Sequence, residues 1–161
     1  MPEEIAELYT DGSCHPKHRA GAWVAIVFIG NDKKILSETV KDTTNNRMEL
    51  TAVIKAIEYV KVHHESITSI KVYTDSQYVT DLPERKKKIA ATDFITGKGT
   101  TLQNTDLVKT FFESLLVLPV EFIKIKAHQK KTDVINHNRE ADMLSRKLLR
   151  NAVEDLLHRN Y

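Results

Sequence analysis

Apolar residues along this chain change their spacing several times, and each change marks an element. Ile5 to Thr10 reads as a strand, and Ala22 to Ile29 is an unbroken apolar run of strand length, rich in Val and Ile. Lys34 to Val40 reads as a third strand, and the turn residues Gly30-Asn31-Asp32 before it predict an antiparallel hairpin with the second. From Asn45 to His63 there is neither Gly nor Pro. Leu50, Val53, Ile54 and Ile57 recur there at helical spacing, with Met48, Ala52, Ala56 and Tyr59 alongside, so a long helix is predicted. Ser69 to Thr74 returns to strand alternation, with Ile70, Val72 and Thr74 on one side and Lys71, Tyr73 and Asp75 on the other.

A short helix is predicted over Ser76 to Leu82, ending at Pro83 because the residue before proline is pushed out of helical geometry. Glu84 to Gln103 is polar, basic and interrupted by Gly97 and Gly99, which reads as a protruding helix followed by a loop. Asn104 or Thr105 caps a further helix through Leu118, Pro119 breaks it, and Val120 to Lys126 has strand character, with Val120 and Phe122 inward together with Ile123 or Ile125. After the polar segment Gln129 to His137, Ala141, Leu144, Leu148, Ala152 and Leu156 form the apolar stripe of a last helix. The order of elements predicts an α/β fold, a mixed sheet with helices on its faces, in which strands joined through a long helix run parallel with a right-handed crossover.

At 161 residues and 41% hydrophobic content, the chain has the material for one core, and residues 1–161 are read as a single domain. No apolar run approaches the roughly 18 residues of a membrane span, and no early stretch has the layout of an export signal. A cytoplasmic protein without a membrane partner is expected. Cys14 is the only cysteine, so neither an internal disulfide nor a Cys-based zinc cage is available. A formal net charge of +2 does not announce a polyanion partner. Positive charge is nevertheless concentrated at Arg85-Lys86-Lys87-Lys88 and again at Lys124, Lys126, Lys130 and Lys131, where a solvated surface is the alternative reading. The apolar stripes are all used by the sheet and its helices, which predicts a monomer with no obligate protein partner.

Two phrases nearly repeat, Tyr9-Thr10-Asp11-Gly12-Ser13 and Tyr73-Thr74-Asp75-Ser76-Gln77, each at the carboxyl end of a predicted strand. That edge is where open α/β sheets bind ligands. If the two strands are parallel neighbours about 4.8 Å apart, one cation can reach both carboxylates and relieve their repulsion. Glu49 falls in the first turn of the first long helix, after the capping cluster Thr43-Thr44-Asn45-Asn46, and Asp142 follows the candidate cap Asn138 in the same way. Each of these acids has a structural alternative, a turn cap for Asp11 and Asp75 and a helix-start charge for Glu49 and Asp142. Together they make an oxygen-only donor set of the kind hard cations prefer.

The chain resembles type 1 ribonuclease H almost from end to end. The matching phrases are Thr10-Asp11-Gly12-Ser13-Cys14, Thr44-Asn45-Asn46-Arg47-Met48-Glu49-Leu50, Thr74-Asp75-Ser76-Gln77-Tyr78-Val79, Asn104-Thr105-Asp106-Leu107, Ile125-Lys126-Ala127-His128 and Asn138-Arg139-Glu140-Ala141-Asp142. The resemblance implies a five-stranded mixed sheet flanked by helices and a partner that is an RNA/DNA hybrid, whose RNA strand is cut to leave a 5′ phosphate and a 3′ hydroxyl. It implies two Mg²⁺ ions per active site, with Mn²⁺ as a substitute, held by the acids corresponding to Asp11, Glu49, Asp75 and Asp142. It makes His128 an aid to proton transfer or product departure. His63, His64, His137 and His158 are expected to be ordinary surface histidines.

A hybrid displays 2′ hydroxyls on one strand across a wide, shallow minor groove. By resemblance, the backbone around Gly12, Ser13 and Cys14 and the amides of Asn45, Asn46 and Gln77 read that groove, and Thr44 contacts a phosphate; Asn138 is counted with these contacts. Helix capping is the alternative for part of this group. The match departs from the family in two places. His15-Pro16-Lys17-His18-Arg19-Ala20-Gly21 replaces the Gly-Asn-Pro-Gly style loop of many relatives, which puts its asparagine contact in doubt. Arg85, Lys86, Lys87 and Lys88 sit where many members carry a cationic handle, but without the tryptophans usual there; Trp23, the only tryptophan, is expected to pack in the sheet. Rival readings are another nuclease on the same scaffold, such as an integrase-like DNA cutter or the nuclease part of a reverse transcriptase, and a non-catalytic nucleic-acid binding module. The hybrid-reading phrases oppose the first and the complete acid set the second.

Overall fold

A computed structural model describes residues 4–95, 103–126 and 136–159. The elements are β1 (Ile5–Cys14), β2 (Gly21–Ile29), β3 (Asp32–Val40), α1 (Asn45–His63), β4 (Ser69–Thr74), α2 (Gln77–Ala91), α3 (Thr105–Ser114), β5 (Val120–Lys124) and α4 (His137–Arg159). The five strands form one sheet in the order β3-β2-β1-β4-β5. β1, β2 and β3 make an antiparallel meander, whose second turn is a two-residue loop with Gly30 at φ 58°, while β4 and β5 lie parallel to β1. The expected five-stranded mixed sheet flanked by helices is what the chain forms.

Alternation decides which face of the sheet is buried under which helix. Ala6 and Leu8 of β1, Trp23, Ala25 and Val27 of β2, and Ile70 and Val72 of β4 point to the side covered by α1, whose Leu50, Val53, Ile57 and Val60 complete the main core with Val79, Leu82, Val108 and Phe111 from α2 and α3. Fully burying such a side chain is worth roughly 1.5–3 kcal/mol. The opposite face carries Val24 and Ile26, packed with Ala141, Leu144 and Leu148 of α4. The sheet is thus a layer between α1 and α4, and functional groups from both helices can meet only where its strands end.

Several boundaries differ from the sequence expectation. α2 does not stop at Pro83 but runs through it to Ala91. A proline inside a helix removes one hydrogen bond at a cost of about 3 kcal/mol. Leu82 and Ile89, seven residues apart, are both buried in the core, and their burial offsets that loss. The short helix and the protruding basic helix are therefore one element. α3 ends at Ser114 rather than Leu118, with Leu116 and Val117 exposed in the turn before Pro119. In α4 the cap is Asn136, whose Oδ1 accepts from Arg139 N at 3.1 Å, so Asn138 lies inside the helix. His137 is half-buried rather than at the surface, its ring centroid 4.3 Å from that of Phe28 and 5.1 Å from that of Tyr9. No helix among the described residues is long and apolar enough to cross a membrane.

Candidate functional site

β1 is longer than expected and carries Asp11 within it, not beyond it. On its β2 side the strand remains paired through Cys14, where Asp11 faces Val24 and Gly12 faces Trp23. On its β4 side the parallel ladder stops at Tyr9 opposite Tyr73. Carrying that register two residues further sets Asp11 beside Asp75, so the near-repeat in the sequence becomes a pair of carboxylates on neighbouring strands. Thr10 and Thr74, the residues before them, are both fully buried.

Glu49 reaches the same point from α1. It lies in the second turn of that helix, not the first, and α1 has no acid in its first turn. A helix-dipole role for Glu49 therefore loses its basis, since that effect fades beyond the first turn. What places Glu49 is the close approach of α1 to Gly12: a Cβ there would lie 2.6 Å from both Glu49 N and Met48 C. Carboxylate oxygens of Asp11, Glu49 and Asp75 all lie within 4.8 Å of one another. Asp11 is 4% exposed and Glu49 9%.

Burial and crowding act together on these acids. Loss of solvent raises the Asp11 carboxyl to about 7, with Asp75 and Asp142 adding repulsion and donors at Ser145 and the Gly12 amide offsetting part of it. Glu49 is raised well above the ordinary range, first by burial and then by Asp11 and Asp75, and its Oε2 is buried with no hydrogen-bond partner among the described residues. Asp142 acts electrostatically on Asp11 and Glu49 but stands outside the tight group of three, its Oδ1 3.2 Å from Arg146 Nε. It too lies in the second turn of its helix, where Glu140 is the acid of the first turn. An all-carboxylate donor set, a buried partnerless oxygen and mutual repulsion together fit a hard divalent cation, which would relieve the repulsion and fill the open coordination of Glu49.

Polar residues expected to touch a substrate surround this edge. Asn45 and Asn46 are the first two residues of α1 and are exposed, and Gln77 opens α2 beside Asp75, its amide donating to Asp81. Thr44 caps α1, its Oγ1 accepting from Arg47 N at 3.3 Å, so the capping alternative holds for this residue. Gly12, Ser13 and Cys14 belong to β1, and Cys14 Sγ sits 3.3 Å from Thr43 O. Arg85, Lys87 and Lys88 are exposed on the far half of α2, whereas Lys86 is half-buried with Nζ 5.9 Å from the centre of the Phe112 ring. Asn138 is 5% exposed, with Oδ1 unpartnered among the described residues. His128, Lys130 and Lys131 lie outside the described residues.

Two features of this edge were missed in the sequence. Arg47 grips Asp106 through both terminal nitrogens, at 3.0 and 2.9 Å, and also Asn104, whose amide reaches Tyr78. The starts of α1, α2 and α3 are thereby tied together, and the pairing drives Asp106 down to about 2. The phrases that hold these residues are visible in the sequence, but their mutual contacts are not. The second is Ser145, fully buried in α4, whose hydroxyl donates to Asp11 Oδ2 at 2.7 Å. Its only signal in the sequence is its place one helical turn after Asp142.

Comparison with known proteins gives a consistent result. The RNase H family profile matches residues 3–150. A ribonuclease H from Caldicellulosiruptor saccharolyticus is 34% identical over 132 residues, covering 81% of this chain and 87% of the relative. One from Methylobacillus flagellatus is 34% identical over 149 residues, covering 91% and 93%. Among solved structures, a type 1 RNase H with the type 2 active-site motif superposes with a TM-score of 0.77 at 21% identity, over 94% of this chain and 74% of that one. A foamy viral protease-reverse transcriptase in complex with dsDNA superposes at 0.68 with 23% identity, over 91% and 96%. At such identities the two structures bear on the fold.

Proposed function

Because the chain belongs to the RNase H family and is a nuclease, we propose that it hydrolyses the RNA strand of RNA/DNA hybrids, leaving 5′-phosphate and 3′-hydroxyl ends. The observation that carries this reading is the convergence of Asp11, Glu49 and Asp75 at one sheet edge, their oxygens within 4.8 Å, with Asp142 acting on the same group from α4. These four residues would hold two divalent cations, Mg²⁺ or Mn²⁺. When bound, such ions supply an activated water and charge stabilisation at the departing oxygen. No side chain at this edge is needed as a nucleophile.

The chain's own residues do the rest. Burial keeps the Asp11 and Glu49 carboxylates in a poorly solvated place, where opposite charge is held more strongly than in water. Exposed amides at Asn45, Asn46 and Gln77 both donate and accept, so they test for a 2′ hydroxyl without demanding a base, and the backbone of Gly12, Ser13 and Cys14 lies on the same edge. Thr44 joins this surface, whereas Asn138 is buried within α4 and does not; His128 assists proton transfer or product release, in line with the family resemblance. The deciding measurement is incubation of the protein and an Asp75→Asn variant with labelled RNA/DNA hybrid, duplex DNA, duplex RNA and single-stranded RNA, with Mg²⁺, Mn²⁺ or a chelator. Cutting of the hybrid alone, dependent on cation and on Asp75, is expected. Cleavage of duplex DNA, or hybrid cutting in chelator, would sink the proposal.

The exposed cations in the later half of α2 form the proposed handle for the hybrid's phosphates. Replacing Arg85, Lys87 and Lys88 together by Ala is expected to weaken hybrid binding. It should also make the dependence of log K on log salt shallower by up to about 2–3 units, since each phosphate contact contributes roughly 0.9. Binding measured across a salt series decides this, and an unchanged slope retires the handle.

A further inference from the structure

Ser145 stands in the middle of α4, in a helix whose sheet-facing neighbours are Ala141, Leu144 and Leu148, and it is completely buried. Helix propensity and packing both favour Ala at such a place, and a buried hydroxyl needs a partner to offset its desolvation. Two acceptors lie in reach, Asp11 Oδ2 at 2.7 Å and Asp142 O at 3.2 Å. The hydroxyl has one proton. The shorter contact, to an acceptor that can carry full charge, takes it. Ser145 therefore does not merely bond back to its own helix, the usual fate of a mid-helix serine. It reaches across to the sheet.

We infer that Ser145 is a positioning residue for cation binding: its hydroxyl fixes the orientation of the Asp11 carboxylate and fastens α4, with Asp142, to the group of Asp11, Glu49 and Asp75. A carboxylate oxygen has two lone-pair directions, so Oδ2 can accept from Ser145 and still offer an electron pair to a cation, while Oδ1 stays free of this bond. The arrangement meets a specific difficulty of the site. With Asp11, Glu49 and Asp75 crowded together and Asp142 nearby, like charge pushes α4 away from the strand end before a cation arrives. A hydrogen bond from α4 to Asp11 holds the two together, so the incoming ion meets ligands already in place. Outer partners that orient metal ligands typically change affinity by about 10–100-fold when removed.

The inference rests on the reading of the acids as a cation site, and the test separates the two. Mn²⁺ binding to the full chain is measured by calorimetry at pH 8 without nucleic acid, for the wild type, Ser145→Ala and Ser145→Cys. Thermal unfolding of each is recorded in chelator. The Ala variant is expected to bind Mn²⁺ about 10-fold or more weakly, and the Cys variant, which fills the space with a much poorer donor, is expected to resemble it. Hybrid cleavage by both should require correspondingly more cation yet approach the wild-type rate at saturation. A hydroxyl that only stabilises the helix would lower the unfolding midpoint and leave the Mn²⁺ affinity of both variants unchanged, and that result overturns the inference. If the wild type itself fails to bind Mn²⁺, the cation reading falls and this inference with it.

Discussion

Asp11→Asn is expected to reduce hybrid cleavage by at least about 10³-fold while making the cation-free protein more stable at neutral pH. The loss of activity follows from removing a charged ligand from the centre of the site, where charge stabilisation of the reaction is concentrated. The gain in stability follows from the same burial. The Asp11 carboxyl is raised to about 7 in the folded protein, so the native state binds its proton more tightly than the unfolded chain does. Stability must then fall as pH rises from the ordinary carboxyl range through about 7, because the unfolded state releases the proton first. Asn at this position cannot ionise. Unfolding midpoints in chelator should therefore drop between pH 5 and pH 8 for the wild type, less so for the variant, and the variant should be the more stable at pH 8. Added Mg²⁺ should recover the wild type at pH 8 and leave the variant little changed. A wild-type midpoint indifferent to pH in chelator would mean that the acids are not crowded as described.

Gly12→Ala is expected to damage both the stability and the activity of the protein. The new Cβ would lie 2.6 Å from Glu49 N and Met48 C and 2.8 Å from Met48 Cβ. The first two are backbone atoms of α1, held by the hydrogen bonds of the helix, and cannot swing aside as the end of a flexible side chain can. Relief requires α1 to move off β1. Overpacking of this kind costs about 1–3 kcal/mol and occasionally more, and the upper end is expected where backbone meets backbone. Glu49 travels with α1, away from Asp11 and Asp75. A displacement of about 1 Å at a reacting centre can cost roughly 10²-fold in rate, so the folded fraction of the variant should also be a poor enzyme. Cleavage rates corrected for the folded fraction at low temperature test the second effect separately from the first. Wild-type stability and rate in the variant would show that α1 is not seated on Gly12.

Apolar periodicity, with cap and proline signals, was enough to find the nine elements of the described residues, with one exception in how they divide. Pro83 reads locally as a helix end, yet the helix continues because Leu82 and Ile89 bury into a core assembled from other elements. Asn138 was read as the cap of the last helix, whereas the hydrogen bond from Arg139 N to Asn136 Oδ1 makes Asn136 the cap. The strand end after Thr10 was placed too early because Asp11 and Gly12 look like turn residues, whereas pairing with β2 keeps them extended through Cys14.

The candidate site divides in the same way. Asp11 and Asp75 were legible as a pair because nearly repeated phrases on parallel neighbours fall in register, and the pairing of Tyr9 with Tyr73, carried two residues on, sets them side by side. Glu49 and Asp142 were drawn into the site by family resemblance, with a helix-start argument that the second-turn positions of both residues remove. What brings Glu49 in is the missing side chain at Gly12, and the hydroxyl of Ser145 makes a direct hydrogen bond from α4 to Asp11. Neither effect has a local signature, since each depends on atoms far apart in the chain meeting at one point. The sequence by itself determined the elements, their order, the family and the chemical type of the site, because these rest on periodicity and on residues in fixed phrases. Tertiary structure alone decided which carboxylates converge, how deeply each is buried and which neighbours hold them. Distance and desolvation between elements are properties of packing, and no stretch of chain carries them.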